Sequence, residues 1–249
     1  MQLELFMMRK RRGRGIKQCG KSILTMFVIN VWEGFLMMQN QGQNHQNMHT
    51  GSVPPHLNHG GHEIFDVGEV LSGTISTLNS YMLLRSHVQD PELLGILDRQ
   101  SQFIQNEYNI TLDCFKSGQD PAQPTQSYKM NQGNDFIYGL TPTSPTKPVQ
   151  NVSEMTDASV SSCMLGALKS SASAKTMAAL ETTNPVVRRV LADSIPNCIE
   201  MAYEVSIYQN KHHYYQVPQL AEQDMQQMLN AYAPASGSGQ QRPNGGMAH

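Results

Sequence analysis

Apolar residues recur every three or four positions in four stretches of the chain, which is the spacing that one face of an α-helix requires. The first stretch predicts a helix from about Asp66 to His87. Asp66 is its expected N-cap, and Glu69 would complete a capping box. The apolar stripe of this helix consists of Val67, Val70, Leu71, Ile75, Leu78 and Met82.

The second stretch opens at Asp90-Pro91, an N-cap followed by proline at the first helical position, and Gly118 is a fitting C-terminal stop. Only a short turn separates it from the first helix, so the two are predicted to form an antiparallel hairpin. Its apolar stripe is Leu94, Leu97, Ile104, Tyr108, Leu112 and Phe115.

A second hairpin follows. Its first helix begins at Ser153 or Asp157 and ends near Leu180, and its second runs from Asn184-Pro185 to about Lys211. The apolar positions are Met164, Leu165, Leu168, Ala172 and Ala179, then Val187, Leu191, Ile195, Cys198, Ala202 and Val205.

Two shorter features complete the helical pattern. Pro196 would cost about 3 kcal/mol inside a regular helix. The apolar stripe nevertheless keeps its phase past this residue, which predicts a kink and not a break. A short fifth helix is predicted at about 219–231.

The two hairpins open alike, at Asp90-Pro91 and at Asn184-Pro185. Aligning these openings places Leu71 on Leu165 and Leu97 on Leu191, although few other positions are identical. A duplicated helical hairpin would explain the match. Any two hairpins of similar size would align in the same way, so both explanations stay open.

Residues 117–152 connect the hairpins and contain five prolines, so they are not helical throughout. A helix of about 25 residues is roughly 37 Å long, a distance that about a dozen extended residues cover. The linker can therefore run back along the bundle, with Asp135-Phe136-Ile137-Tyr138-Gly139-Leu140 as its apolar anchor. Two hairpins and one long crossover predict an all-α, ferritin-like four-helix bundle.

The two ends of the chain differ in composition from the helical region between them. Residues 1–37 hold seven Lys/Arg against Glu4 and Glu33, whereas the remainder is acidic. The codons of Trp32-Glu33-Gly34 can spell a purine-rich ribosome-binding sequence before Met37 or Met38. We therefore interpret residues 1–37 as a non-native upstream extension, with a genuine extension as the alternative.

Residues 38–62 form a Gln/Asn/His-rich arm and residues 233–249 a polar tail, both predicted to be disordered. The bundle is predicted at 63–232.

The same composition excludes several functions. An acidic chain without a basic stripe is a poor nucleic-acid ligand. The four cysteines form no CxxC pair, and no apolar run is long enough to span a membrane. The sequence contains no phosphate-binding loop and no nucleophile motif, so we assign no catalytic or cofactor-binding residue.

A metal site is the chemistry that a ferritin-like bundle most often carries, and it needs Glu-x-x-His motifs. No such motif occurs in the chain. The carboxylates Glu69, Glu107, Glu181 and Glu200 would converge only by chance, and the sequence predicts no metal and no cofactor.

Five histidines of the N-terminal arm are not held by a rigid element that could fix the geometry of a metal site: His45, His49, His56, His59 and His62. His212-His213 are expected to end the fourth helix, and Cys114, Cys163 and Cys198 to lie in or beside apolar stripes without catalysis.

Several short segments carry a resemblance to a known family. They are Phe65-Asp66-Val67, Asp90-Pro91-Glu92-Leu93-Leu94, Tyr108-Asn109-Ile110-Thr111, Pro124-Thr125-Gln126-Ser127-Tyr128, Thr183-Asn184-Pro185-Val186-Val187-Arg188-Arg189 and Tyr214-Tyr215-Gln216-Val217-Pro218. With them, residues 40–232 resemble the spore coat protein F family of endospore-forming bacteria.

The resemblance implies a structural component of the spore coat, made in the mother-cell cytoplasm during sporulation, and not an enzyme. Its expected partners are other coat proteins and, in a homo-oligomer, copies of itself. Two alternatives stay open: a ferritin-like metal-binding or oxidoreductase bundle, and a soluble sporulation adaptor outside the coat. Glutamines in the arms would offer sites for cross-linking to lysines such as Lys129, Lys147, Lys169 and Lys175.

Overall fold

The computed structural model describes residues 53–133 and 135–235, and it is helical wherever it has regular structure. The helices are α1 (Gly61–Arg85), α2 (Pro91–Ser117), α3 (Asp157–Glu181), α4 (Pro185–Lys211) and α5 (Glu222–Leu229), with single 3-10 turns at Pro55–Leu57 and Val152–Glu154. The predicted all-α class is confirmed. The predictions for residues 1–37, for most of the N-terminal arm and for most of the tail concern residues outside the described ranges.

Capping residues set the predicted starts of the second and fourth helices. Asp90 Oδ1 accepts the Glu92 amide at 2.8 Å, and Asn184 Oδ1 accepts the amides of Val186 and Val187 at 2.9 and 3.2 Å. Gly118 ends α2 in the left-handed conformation, with φ of 66°. Proline follows the cap in both helices, so the local signals and the structure agree.

Helix α1 starts earlier than its sequence pattern predicts. It begins at Gly61 behind the N-cap Gly60, and the capping carboxylate is Glu63 instead of Glu69. Gly61 and His62, which we had placed in the arm, are therefore in its first turn. The carboxylate of Glu63 also accepts the amides of Thr183 and Asn184, and periodicity within α1 cannot reveal that long-range contact.

The buried face of α1 also differs from the predicted stripe. Val67 and Val70 are buried as expected, but Ile75 and Met82 are exposed, the latter by 66%. Their places on the buried face are taken by Thr74, Thr77 and Tyr81. The prediction selected apolar residues only, whereas the face of α1 that packs against the bundle is partly polar.

Contacts between the helices define a four-helix bundle with a crossover. Helix α1 packs on α2 and α3, and α4 packs on the same two helices. At one end of the bundle Asn184 Nδ2 donates to the Gly118 carbonyl at 3.2 Å; at the other the Gln89 amide donates to Asp157 at 2.9 Å. The chain must therefore cross the whole bundle between α2 and α3, which run parallel. The closer assignment as ferritin-like stays a prediction.

Two apolar clusters form the core, and a polar layer lies between them along each of the four long helices. One cluster includes Leu97 and the other Leu191, and both side chains are almost fully buried as predicted. The residues of the polar layer are Thr74, Thr77, Glu107, Lys175, Ser194 and Asn197.

The linker attaches to the bundle by a different residue from the one predicted. Tyr128 is its buried side chain, whereas Ile137, Tyr138 and Leu140 are at least half exposed. The segment around Ile137 is held instead by its backbone, whose N–H and C=O both pair with the side chain of Asn210. Of the predicted apolar anchor, Phe136 is half-buried, with its ring centroid 5.5 Å from that of Tyr203, and the polar pairing of the backbone supplements this contact.

The remaining predictions concern Pro196 and the last helix. Helix α4 continues through Pro196, whose ring faces outward, so the chain does not break there. The predicted kink itself stays a prediction. Helix α5 lies within the predicted range but is shorter, and none of its residues is buried.

Candidate functional site: buried polar clusters and an exposed apolar helix

The four carboxylates considered as metal ligands do not converge. Glu69 and Glu181 are exposed, Glu200 is half-buried, and only Glu107 is buried. Its partner is the ammonium of Lys175, whose Nζ lies 2.9 Å from Oε2. The charge of the buried Glu107 carboxylate is therefore balanced by a positive side chain of the protein itself.

Lys175 belongs to a central cluster that joins three helices and the linker. Asn197 Nδ2 donates to the other oxygen of Glu107 at 2.7 Å, and Lys175 Nζ lies 3.3 Å from the sulfur of Cys198. Burial alone would lower the pKa of Lys175, but its interactions with Glu107 and with Cys198 together raise it above its ordinary value. The cluster is an ion pair whose charge is compensated inside the bundle.

Glu204 anchors a second cluster, about two turns beyond the first along α4. Its side chain is fully buried and accepts hydrogen bonds from Arg99, Gln100 and Tyr128 at 2.5, 3.1 and 2.5 Å. The Asn131 amide of the linker adds a fourth bond at 3.0 Å. Burial, followed by the bond to Glu204, raises the pKa of the Tyr128 hydroxyl. This carboxylate thus fixes both the α2–α4 contact and the path of the linker.

A third buried carboxylate, Glu63, closes the opposite end of the bundle. It accepts hydrogen bonds from His59 Nδ1 at 2.6 Å, from Thr183 N and Oγ1 at 2.9 and 2.8 Å, and from Asn184 N at 3.0 Å. Burial alone would raise the pKa of Glu63, but the bonds from His59, Asn184 and Thr183 together hold it below its ordinary value. Glu63 therefore ties the start of α1 to the α3–α4 turn as a carboxylate.

The lowered pKa of Glu63 predicts a stability difference that depends on pH. The folded pKa lies below the unfolded value of about 4.3, so the carboxylate stabilises the fold above that pH and loses this effect as the pH falls through the folded pKa. Glu63→Gln should reduce the free energy of unfolding by about 1–3 kcal/mol at pH 6, and by clearly less at pH 3. Urea titrations at both pH values measure the difference.

Glu69→Gln is the matched control, because Glu69 lies on the same helix and is exposed. It should leave the free energy of unfolding within about half a kcal/mol at both pH values. A Glu63→Gln deficit of equal size at pH 6 and pH 3 would show that the carboxylate charge is not what stabilises this end.

The predicted histidine cluster separates into unrelated environments. His45 and His49 lie outside the described residues, and His56 and His62 are exposed. Among the described histidines of the arm, His59 alone has a buried side chain, which pairs with Glu63 and packs against the ring of Phe115 with centroids 5.3 Å apart. The described histidines of the arm therefore do not gather into a site.

Sequence reasoning missed a small cluster at the end of α4. One side-chain atom each of Asp90, Glu92 and His212 lies within 4.8 Å of the others, and within the described ranges this is the group that could hold a metal ion. Lys211 Nζ already pairs with Glu92 at 2.7 Å, and Asp90 accepts from the Tyr208 hydroxyl at 3.0 Å. Both carboxylates are therefore already engaged: Asp90 by the Tyr208 hydroxyl and the α2 cap, and Glu92 by Lys211.

The three cysteines within the described ranges divide into two buried thiols and one exposed thiol. Cys114 and Cys198 are buried as predicted, whereas Cys163 is exposed. Burial raises the pKa of Cys114 to about 12, and burial likewise raises the pKa of Cys198 despite the neighbouring Lys175. Neither buried thiol is activated as a nucleophile.

Helix α5 carries exposed apolar side chains at helical spacing. Met225, Met228 and Leu229 lie on the helix, and Tyr232, which is 87% exposed, follows three residues after its end. Acidic and amide side chains occupy the other face. A helix of eight residues is too short to be stable without packing, so this face is suited to contact with another surface.

The fold and its clusters define an all-α bundle whose buried charged groups are paired with one another. None of the helices in the described residues combines the length and hydrophobicity needed to cross a membrane.

Residues 156–218 match the family model for the Coat F domain. Spore coat protein F-like protein YhcQ of Bacillus subtilis (strain 168) is 54% identical over 178 residues, which are 72% of this chain and 82% of that protein.

The chain therefore belongs to the spore coat protein F family, and the predicted resemblance is confirmed. The assignment supports a location in the spore coat. No solved structure matches the chain.

Proposed function

We propose that the protein is a structural component of the spore coat that acts by associating with other proteins through its helical surface. Family membership supports the coat role. The structural observation that carries the mode of action is α5, whose apolar side chains are exposed on one face of a helix too short to be stable alone. We also propose that the protein does not act as an enzyme on other molecules, as its membership of a spore coat family supports.

The buried clusters suit such a role. Glu63, Glu107 and Glu204 each bond groups from distant parts of the chain, so the bundle is fixed as one unit on which α5 and the arms are carried. In this proposal other coat proteins, and further copies of this chain, are the partners, and nucleic acid is not.

The arms are proposed as tethers that complement the bundle. Their glutamines lie outside the described residues, but the candidate lysines do not. Lys129, Lys147 and Lys169 are exposed and accessible to a cross-linking enzyme. Lys175, by contrast, is buried against Glu107 and is not accessible to such an enzyme, so the expectation that it accepts a cross-link is wrong.

Charged substitutions on the apolar face of α5 test the association. Met228→Glu combined with Leu229→Glu should reduce the amount of protein retained in washed, detergent-extracted spores by at least about fivefold, because two charges would have to be desolvated at the contact. Immunoblotting of spore extracts and of mother-cell lysates measures retention.

Gln226→Glu combined with Gln227→Glu is the matched control, since it adds the same two charges to the polar side of the same helix. This variant should be retained like the wild type. Equal retention of all three proteins would show that α5 is not the contact. Absence of the wild-type protein from extracted spores would instead favour the adaptor that stays outside the coat.

A further inference from the structure

We propose that Lys175 and Asn197 join in an intramolecular isopeptide bond, with Glu107 as the catalytic residue, and that this bond links α3 covalently to α4. The proposal is independent of where the protein resides and rests on three side chains of the polar layer. Lys175, Asn197 and Glu107 are 5%, 5% and 7% exposed.

The two nitrogens that must exchange protons share one carboxylate. Lys175 Nζ donates to Glu107 Oε2 at 2.9 Å, and Asn197 Nδ2 donates to Glu107 Oε1 at 2.7 Å. One group is thus placed to take a proton from the attacking amine and to give a proton to the leaving group, as general acid–base catalysis requires. Because the ammonium and the carboxylate are in direct contact and both are buried, the proton can pass between them without an intervening solvent molecule.

The amide of Asn197 is held as an electrophile. Its Oδ1 accepts the backbone N–H of Tyr128 at 2.9 Å, a donor that can stabilise negative charge developing on this oxygen. Its Nδ2 also donates to the Gln126 carbonyl at 2.8 Å, so both ends of the amide are fixed by the linker. The side chain is thus held in one orientation for attack. The entropy cost of bringing the two groups together is met when the protein folds and not in the chemical step.

The reaction balances without an oxidant or a reductant. Glu107 accepts a proton from the Lys175 ammonium, and the neutral amine attacks Cγ of Asn197, forming the new carbon–nitrogen bond. The tetrahedral oxyanion is held by the Tyr128 N–H. Glu107 returns its proton to Nδ2, the carbon–Nδ2 bond breaks, and ammonia leaves. The second proton on the attacking nitrogen passes to the carboxylate and then to ammonia. The Lys175 ammonium and the Asn197 carboxamide thus become a secondary amide and an ammonium ion, and Glu107 ends as the carboxylate with which it began.

Peptide mapping of the purified full-length protein tests the bond. Trypsin should fail to cleave after Lys175, and peptide Ser170–Arg188 should appear joined to Val190–Lys211, lighter than their sum by one ammonia, about 17 Da. Intact mass alone is not sufficient, because cyclisation at Asn244-Gly245 would lose the same mass.

Two buried-carboxylate variants separate catalysis from folding. Glu107→Gln should abolish the joined peptide, whereas Glu204→Gln, which alters a buried glutamate without contact to Lys175, should retain it. Circular dichroism checks that each variant is helical. If Glu107→Gln does not fold, the wild-type map still decides. Complete cleavage after Lys175 in folded wild-type protein, with both peptides linear, would overturn the proposal.

Discussion

Replacing Glu204 by alanine is expected to lower the free energy of unfolding by about 3–5 kcal/mol. The substitution removes the acceptor of four hydrogen bonds, from Arg99, Gln100, Tyr128 and Asn131. Gln100 and Tyr128 are buried, so their donors would lose a partner where water does not replace it, and an unpaired buried donor costs more than the bond contributes when it is made. Denaturant titration of the purified protein, followed by circular dichroism, measures the loss.

Glu200→Ala is the control for this effect. Glu200 lies one turn earlier on the same helix, is half-buried and has the same chemical type. Its removal should change the free energy of unfolding by about half a kcal/mol or less. Similar losses for both variants would mean that helix propensity on α4, and not the buried cluster, is responsible.

Leu97→Ala and Leu191→Ala should each cost about 2–5 kcal/mol. Leu97 lies in one apolar cluster and Leu191 in the other, and each loses the transfer free energy of its side chain and leaves a cavity. Because the two clusters are separated by the polar layer, the losses in the double variant should be additive within about half a kcal/mol. Equilibrium unfolding of the three variants tests both statements.

Leu180→Ala is the corresponding surface control, since Leu180 is on α3 and three-quarters exposed. It should alter the free energy of unfolding by less than about half a kcal/mol. A loss below that value at Leu97 and Leu191 as well would show that neither residue supports the core.

The candidate site shows what periodicity can and cannot reveal. Glu107 and Glu204 occupy positions in phase with the apolar residues of their helices, so a charged residue inside a buried stripe was a readable signal. The identity of each partner was not readable. Lys175 meets Glu107, and Tyr128 meets Glu204, across sequence separations of 68 and 76 residues.

By itself the sequence determined the four long helices, the caps at Asp90 and Asn184, the crossover and the family. Those features depend on local signals: helical spacing, proline after a cap, glycine at a C-terminus, and short family segments. Only the tertiary structure decided which face of α1 is buried, that Tyr128 holds the linker, and that the polar layer brings Lys175, Glu107 and Asn197 together. The rotation of each helix about its axis fixes these contacts, and it is set by the packing of all four helices at once.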